Sequence, residues 1–218
     1  MSDVAILVPV LGREYLLEPL LESIHNTCDA SVYFATTRAD TKPREELKRL
    51  GYSFVDITRK PMGDYARKIN NLAKRCDEPY LFLGATDLIF HEYWMEKALA
   101  KTSDKIHVVG TNDMGNKKVL RGQHSTHTLV SRKYMQDYGL IDKKGLILNE
   151  EYPHEFVDDE LVQTAQYRGM FAMARNSLVE HIHPMWGKAE WDAGYLAGDS
   201  RYLAGRRIFR QRKKLWTE

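Results

Sequence analysis

Cysteine is scarce in this sequence, and neither sign of charge predominates. The 218 residues include only two cysteines, Cys28 and Cys76, which lie far apart and form no Cys-x-x-Cys motif. This spacing argues against a disulfide framework and a structural zinc site, and it favours a reducing compartment. The 32 basic and 30 acidic side chains leave a formal net charge of +2, so the composition requires neither a nucleic-acid nor a membrane partner.

Long hydrophobic runs are also missing. The first apolar run, residues 4–10, follows Asp3 and is too short for a signal peptide or a membrane-spanning helix. We therefore expect a cytoplasmic protein without a membrane span. The content of 43% hydrophobic and 28% charged residues is typical of a globular protein, and the length suffices for one substantial core.

Strand-like and helix-like patterns alternate in the first half of the chain. The predicted strands cover residues 4–10, 31–36, 52–57 and 79–90, and the predicted helices cover 15–27, 45–50 and a segment with apolar residues at 69, 72 and 73. This spacing predicts an α/β fold with a mostly parallel central sheet and right-handed crossovers. In the less regular second half, strands are predicted near 106–110, 129–132, 171–174 and 178–181, and helices over 134–138 and 156–166.

A single carboxylate, Asp87, interrupts the apolar run 79–90. We expect it at or just past the carboxyl end of a strand, which is where ligands bind in open α/β sheets. Asp87 is therefore a candidate for holding a metal ion or a ligand hydroxyl. On this segment alone, it is equally consistent with the N-cap of a helix beginning near His91.

Two further clusters of polar residues fall at the ends of predicted elements. The acids 158–160 open a predicted helix, and His181 and His183 follow a predicted strand. A hard divalent cation takes oxygen ligands and accepts an imidazole, so Asp87 with either histidine is a sensible ligand pair. Taken singly, the acids are more often ordinary first-turn residues and the histidines a loop pair without metal. Their order along the chain favours function, because all three clusters would lie at one rim of the sheet.

Six segments, in this order, resemble family 2 glycosyltransferases of the GT-A fold. Residues 4–13 resemble the opening of that family, 63–70 the segment before its metal-binding strand, 82–87 its DxD region, 128–139 its acceptor-side strand and helix, 156–161 its acid–Asp pair, and 179–184 its late histidine. Gly84 and Thr86 stand where the family usually has acids, so that only Asp87 remains of the DxD region.

The resemblance implies one GT-A-type, Rossmann-like domain over residues 1–218. Its nucleotide-binding half would cover about residues 1–110, its acceptor- and metal-completing half about 111–187, and a basic helical tail about 188–218. The implied reaction moves a sugar from a nucleotide-diphosphate donor to an acceptor hydroxyl, with inversion and with Mn²⁺ or Mg²⁺. The acceptor stays open among a protein, a glycan, a small molecule and a modified nucleic acid.

The resemblance also implies roles for individual residues. Asp159 would deprotonate the acceptor hydroxyl, with Asp158 or Glu160 as neighbouring alternatives, and Asp87 with His183 or His181 would bind the metal. The residues implied to contact the donor are Pro9, Arg13 and Asp40 around the base and ribose, Arg67, Asn70 and Thr86 near the DxD region, and Lys188, Tyr195 and Arg201 from the tail.

Two other functions are compatible with the residues. A metal-dependent hydrolase could use His181 and His183 with the pair Asp158 and Asp159, although hydrolases of that kind usually carry such histidines after the first strand. A nucleic-acid-binding module could use the basic run 206–214. Within the tail, Ile208, Phe209, Leu215 and Trp216 predict that one helix face packs against the domain.

Overall fold

The computed structural model describes residues 2–60 and 62–217; positions 1, 61 and 218 of the expected domain lie outside the described residues. The strands are β1 Val4–Pro9, β2 Ser31–Thr36, β3 Phe54–Asp56, β4 Tyr80–Leu83, β5 Leu88–Phe90, β6 Val108–Asn112, β7 Thr128–Ser131 and β8 Phe171–His181. The helices are α1 Leu17–Thr27, α2 Thr41–Arg49, α3 Asp64–Ala73, α4 Trp94–Leu99, α5 Lys117–Leu120, α6 Arg132–Asp137, α7 Val157–Tyr167, α8 Ala193–Asp199 and α9 Tyr202–Thr217. Short 3₁₀ helices cover Glu14–Leu16 and Pro184–Trp186.

These strands form one sheet in the order β3-β2-β1-β4-β7-β6-β8-β5. The pairs β1–β2, β2–β3, β1–β4 and β6–β8 are parallel, whereas β4–β7, β6–β7 and β5–β8 are antiparallel. The prediction of an α/β fold with a mostly parallel sheet is confirmed. Parallel pairing dominates the first half because each strand there is followed by a crossover helix.

Helices cover both faces of the sheet, which explains the continuous apolar runs of the central strands. Along β1, Ala5 and Leu7 belong to one core cluster, which includes residues of α3 and α7. Val4, Ile6 and Val8 belong to the other cluster, which includes residues of α1, α2 and α4. A strand with both faces buried presents no polar alternation, so its position is readable from the sequence.

The apolar run 79–90 is two strands rather than the single strand expected from the sequence. β4 ends at Leu83, residues 84–87 form a turn, and β5 begins at Leu88. Asp87 therefore lies between two strands. It is not the N-cap of α4, because that helix begins at Trp94 with Tyr93 as its N-cap residue.

Other element bounds also differ from the prediction. The strands expected at 171–174 and 178–181 are one strand, β8, whose central residues Arg175 and Asn176 are exposed and polar. α2 begins at Thr41, four residues before the expected start, and β3 is shorter than expected. Exposed polar residues in the middle of a strand resemble a loop in the sequence, which accounts for the missed continuity of β8.

The C-terminal segment is helical, as predicted. Ile208 and Phe209 pack against the core cluster of α3 and α7, and Trp216 is 5% exposed. The expectation for Leu215 is wrong, because its side chain is 53% exposed. Among the described residues, none of the helices combines the length and the apolar character that crossing a membrane requires.

Gly63→Ala is expected to destabilise the fold by more than about 1–2 kcal/mol. Gly63 precedes α3 with φ of 68°, a left-handed conformation, and an added Cβ would collide with the backbone carbonyl oxygen of Glu150. Gly51→Ala is a matched control, because φ at Gly51 is 81° but no atom lies within 4 Å of the added Cβ. Thermal melts should show the larger loss for Gly63→Ala, and equal losses would contradict the role of the collision.

Candidate active site

Asp87 lies beside His181 because two strands pair there. In the antiparallel pair β5–β8, Leu88 is opposite His181, which brings the residue before β5 next to the end of β8. His181 Nε2 lies 3.5 Å from Asp87 Oδ2, and the Asp87 backbone carbonyl accepts a hydrogen bond of 2.9 Å from Ile182. With 6% of its surface exposed, Asp87 is a buried carboxylate held by both side chain and backbone.

Two further side chains contact the same carboxylate oxygen. Tyr195 donates its hydroxyl proton to Asp87 Oδ2 at 2.8 Å, and Arg13 Nη1 lies 3.2 Å from it. The Arg13 guanidinium stacks 3.5 Å from the centre of the Tyr195 ring. It also holds Asp192 through two hydrogen bonds, Nε to Oδ2 at 2.7 Å and Nη2 to Oδ1 at 2.8 Å. The segments after β1 and before β5 therefore meet the C-terminal segment at one carboxylate.

The backbone turn after β1 directs Arg13 toward this site. Gly12 and Arg13 have φ of 60° and 56°, so two consecutive left-handed residues reverse the chain before the 3₁₀ helix. Asp192 in turn caps α8 by accepting a hydrogen bond of 2.9 Å from the Tyr195 backbone amide. The position of the Tyr195 phenol thus depends on both Arg13 and Asp192.

The electrostatics of the site keep Asp87 ionised. Burial alone would raise the pKa of Asp87, but the charge and hydrogen bond of His181 and the hydrogen bond of Tyr195 hold that pKa well below its usual range. Burial and the charge of Asp87 raise the pKa of Tyr195, so the phenol remains a donor. The Asp87 carboxylate is therefore kept ionised, and Arg13 already pairs with it.

Three imidazoles lie next to one another at Asp87. The His181 ring centre is 5.0 Å from that of His127 and 4.9 Å from that of His183. Burial, with the charge of His181, lowers the pKa of both His127 and His183 to about 4, so these two rings are neutral. A neutral imidazole carries the lone pair that a metal ion requires.

His127 is a member of this cluster that sequence reasoning missed. Its Nδ1 lies 3.0 Å from the Leu83 carbonyl oxygen and donates to it, which leaves a lone pair on Nε2. His127 Nε2 and His181 Nδ1 are buried and have no hydrogen-bond partner within residues 2–60 and 62–217. Such buried, unsatisfied nitrogens are rare in folded proteins. The only sequence signal was a second histidine close to His124.

Asp87 and His181 offer an oxygen and a nitrogen ligand of the kinds that a divalent cation takes. Ligand atoms on neighbouring positions of Mg²⁺ or Mn²⁺ lie about 3 Å apart, close to the 3.5 Å between Asp87 Oδ2 and His181 Nε2. The Asp87 contacts with Arg13, His181 and Tyr195 all use Oδ2, so Oδ1 is not engaged by them. His183 accepts a hydrogen bond from the Met185 amide on Nδ1, which leaves Nε2 for a ligand.

The acid pair opens α7. His124 Nε2 lies 3.2 Å from Asp158 Oδ2, and one ligand atom from each of His124, Asp158 and Asp159 lies within 4.8 Å of the others. In the part of the chain that the structure describes, this is the one group of three side chains with spacing compatible with a metal. The predicted trio Asp87, His181 and His183 does not reach that spacing as a group.

The pKa values of Asp158 and Asp159 are shifted in opposite directions. Burial would raise the pKa of Asp158, but the hydrogen bond from His124 lowers it on balance. Burial and the charge of Asp158 raise the pKa of Asp159. Two neighbouring carboxylates with pKa values pushed apart are typical of acid–base sites, and the one with the raised pKa is the better proton acceptor near neutral pH.

Tyr65 and His154 lie close enough to both Asp87 and Asp158 to be affected by the charge of each. Burial raises the pKa of Tyr65, and the charges of Asp158 and Asp87 raise it further. Burial lowers the pKa of His154, and the same two acids oppose this effect. The ring centres of Tyr65 and His154 are 6.5 Å apart, and Tyr65 donates to the Gly84 carbonyl oxygen at 3.3 Å.

Glu160 cannot serve as the alternative base. Its side chain is 2% exposed and accepts a hydrogen bond of 2.7 Å from the Tyr152 hydroxyl. Arg212 of α9 binds both of its oxygens, with the shortest distances at 2.8 Å. This carboxylate therefore stabilises the packing of α9 on α7.

Comparison with known proteins gives no match by sequence, since neither a protein-family model nor a curated protein matches the chain. The fold does match solved structures. One is a mannosyltransferase from Pyrobaculum calidifontis in complex with GDP-mannose and Mn²⁺, which superposes with a TM-score of 0.71 and 12% sequence identity. The match covers 95% of this chain and 64% of the mannosyltransferase chain. Another is glucosyl-3-phosphoglycerate synthase from Mycobacterium tuberculosis in complex with Mn²⁺, UDP-glucose and phosphoglyceric acid, with a TM-score of 0.65 and 13% sequence identity. That match covers 96% of this chain and 79% of the synthase chain. The chain has the GT-A fold.

Several residues expected to bind the donor in this GT-A domain do lie around Asp87. Arg13 and Tyr195 contact its carboxylate, and Thr86 precedes it with a side chain that is 7% exposed. Pro9 ends β1, four residues before Arg13. The structure thus brings part of the predicted donor-binding residues together around Asp87.

Asp40 is held next to a buried lysine that sequence reasoning missed. Asp40 Oδ2 accepts hydrogen bonds from the backbone amide and hydroxyl of Thr37 at 2.9 and 2.7 Å. Lys68 is fully buried, donates to the Val10 carbonyl oxygen at 2.6 Å and pairs with Asp64 at 2.8 Å. Its Nζ also lies 3.9 Å from Asp40, so Lys68 links α3 to the ends of β1 and β2.

The remaining predicted donor residues make other contacts. Arg67 donates to the backbone carbonyls of Met62 and Lys60. Asn70 uses both amide donors and its oxygen on residues 147, 148 and 150, so its side chain holds that segment against α3. Lys188 pairs with Glu180 at 2.7 Å. Arg201 lies near His154, whose pKa its charge lowers.

Proposed function

We propose that this protein transfers a sugar from a nucleotide-diphosphate donor to an acceptor hydroxyl, with inversion and with the help of Mn²⁺ or Mg²⁺. The observation that carries the proposal is the proximity of two acidic centres, Asp87 with His181 beside it and Asp158, whose charges both act on Tyr65 and His154. The fold supports it, because solved structures with the same fold bind UDP-glucose or GDP-mannose with Mn²⁺.

The donor would bind at Asp87. Asp87, His181 and His183 would hold the divalent ion, which when bound neutralises charge on the leaving diphosphate. Arg13 and Tyr195 already contact the Asp87 carboxylate and would turn their donors to the diphosphate, with Lys188 and Arg201 assisting. Pro9, Asp40 and Thr86, with Arg67 and Asn70 holding the neighbouring segments, would frame the nucleotide.

Asp159 would act as the base. It takes the proton of the acceptor hydroxyl while the oxygen bonds to the anomeric carbon and the bond from that carbon to the diphosphate oxygen breaks. The raised pKa of Asp159 supports this role. His124 keeps Asp158 ionised, and the negative charge of Asp158 contributes to the raised pKa of Asp159. Attack from the face opposite the diphosphate would invert the anomeric centre.

Donor binding should depend on Asp87. With UDP-, GDP- and TDP-linked sugars, we expect at least one donor to raise the melting temperature in the presence of Mn²⁺. At a hundredfold excess over Kd, the free energy of unfolding should increase by about 2.7 kcal/mol. Asp87→Asn should abolish the Mn²⁺-dependent part of this shift. Asp104→Asn is a control, because Asp104 is exposed and is not among the contacts described for Asp87.

Two results would contradict the proposed function. The first is the absence of any stabilisation by the donors, and the second is an unchanged Mn²⁺ effect in Asp87→Asn. Oligonucleotide binding that weakens steeply with salt, without a donor effect, would instead support the nucleic-acid-binding alternative through the basic run 206–214. The anomeric configuration of the product, measured by NMR, tests inversion.

A reducing, cytoplasmic setting is part of this proposal. Cys28 and Cys76 are both free thiols. Burial raises the pKa of each thiol, which lowers the thiolate fraction and its reactivity. These properties support a protein that works without disulfides.

A further inference from the structure

A cavity of about 430 Å³ lies beside the acid pair, between α5, α7 and the end of α9. It is lined by Lys118, Gln123, His124, Asp159, Gln163, Gln166, Lys213, Trp216 and Thr217. Its volume falls in the range of about 300–1,000 Å³ that small-molecule sites occupy. Asp159 in its wall makes the cavity continuous with the acid pair.

The lining carries more positive than negative charge. Lys118 and Lys213 contribute two ammonium groups, and Asp159 is the single carboxylate. Neither lysine has an ion-pair or side-chain hydrogen-bond partner in the described portions of the chain. The neighbouring Arg212, by contrast, forms ion pairs with Glu160 and Asp142. Two unpaired cations facing one cavity attract an anion.

The rest of the lining suits a hydroxylated compound. Three carboxamides, from Gln123, Gln163 and Gln166, offer both donors and acceptors, and Thr217 adds a hydroxyl group. Of these amides, only that of Gln166 donates within the described residues, to the Gln123 backbone carbonyl at 3.2 Å. Trp216 supplies one apolar wall, which suits the C–H face of a polyol.

We propose that this cavity is the acceptor site and that it takes a small polyhydroxylated acid, with a carboxylate or a phosphate as its anionic group. The inference rests on the proposed function. The reacting hydroxyl lies at Asp159, the anionic group lies at Lys118 and Lys213, and the carboxamides bind the other hydroxyls. The charge balance favours such an acid over a neutral glycan.

The test measures binding of defined probes by calorimetry. The probes are D-glycerate and glycerol 3-phosphate as the two acids, glycerol and glucose as neutral polyols, and inorganic phosphate as an anion without hydroxyl-bearing carbons. We expect at least one acid to bind and the neutral polyols to bind at least tenfold more weakly. The double variant Lys118→Ala, Lys213→Ala should weaken acid binding tenfold or more.

A matched control uses the adjacent lysines. Lys117 and Lys214 are exposed and do not line the cavity, so Lys117→Ala, Lys214→Ala should leave acid binding unchanged. Equal losses in both double variants would overturn the proposal, since they would indicate a general charge effect. Inorganic phosphate binding as tightly as glycerol 3-phosphate would also overturn it, because the site would then recognise an anion only.

Donor binding in the same preparations separates this inference from the proposed function. If donors stabilise the protein with Mn²⁺ but neither acid binds, the acceptor assignment is wrong and sugar transfer stands. If acids bind through the two lysines but no donor stabilises the protein, the transferase function is wrong and with it the acceptor role. Donor stabilisation together with lysine-dependent acid binding supports both.

Discussion

Asp159→Asn is expected to lower kcat by about 10²–10⁴, the usual contribution of a general base. The amide cannot accept the proton of the acceptor hydroxyl. The Asp159 side chain is half-buried and makes no hydrogen bond with another described residue, so the fold should be retained. The measurement is release of nucleoside diphosphate at saturating donor and acceptor, with circular dichroism as the check on folding. A rate within about threefold of the parent protein would remove Asp159 from the reaction.

The pH dependence of kcat/KM gives an independent test of the acid pair. Burial and the charge of Asp158 raise the pKa of Asp159, so activity should be lost as the pH falls through a value above that of an ordinary aspartate. Asp158→Asn removes the like charge, which should lower the pKa of Asp159 and move the acidic limb to lower pH. A limb that does not move would contradict the coupling of the two acids.

Arg212→Ala is expected to lower the free energy of unfolding by about 3–5 kcal/mol, as is typical when a buried ion pair loses one partner. Glu160 is 2% exposed, and Arg212 donates to it from Nε and Nη2 at 2.8 Å. Without the guanidinium, the carboxylate keeps only the Tyr152 hydroxyl, at 2.7 Å. The contact between Arg212 and Asp142, at 2.8 Å, is lost as well. Urea unfolding followed by fluorescence measures the effect.

Two variants show whether this loss comes from the ion pair. Arg210→Ala removes an exposed arginine from the same helix and should change stability by no more than about 0.5 kcal/mol. The double variant Arg212→Met, Glu160→Leu leaves no unpaired charge and should be less destabilised than Arg212→Ala. If Arg212→Ala is as mild as Arg210→Ala, the pair does not anchor α9.

The parts of the fold that could be predicted from sequence are those with a strong local pattern. β2 was expected at 31–36 and has these bounds, because both its ends are marked by polar residues and its interior is apolar. β8 was divided in two because Arg175 and Asn176 are exposed in its centre. The register of its pairing with β6 also shifts between Thr111 and Asn112, which no local pattern reveals.

The candidate site was predictable only where its residues follow strand ends or open a helix. Asp87, His181 and the acid pair belong to this group. The contact between Arg13 and Asp192 joins residues 179 positions apart and depends on a left-handed turn, so nothing local indicates it. Lys68 and His127 are buried polar residues that each donate to a backbone carbonyl distant in sequence, and Lys68 also pairs with Asp64. Nothing in the neighbouring sequence indicates that they are buried.

The pairing of β5 with β8 has a consequence for how this site can vary. Leu88 lies opposite His181 and Ile89 opposite Glu180, so a shift of one residue would set a glutamate where the imidazole stands. The backbone hydrogen bonds between β5 and β8 thus fix the Asp87 carboxylate and the His181 imidazole in neighbouring positions. Insertions in the surrounding surface loops can alter which molecules are recognised and still leave these two groups side by side.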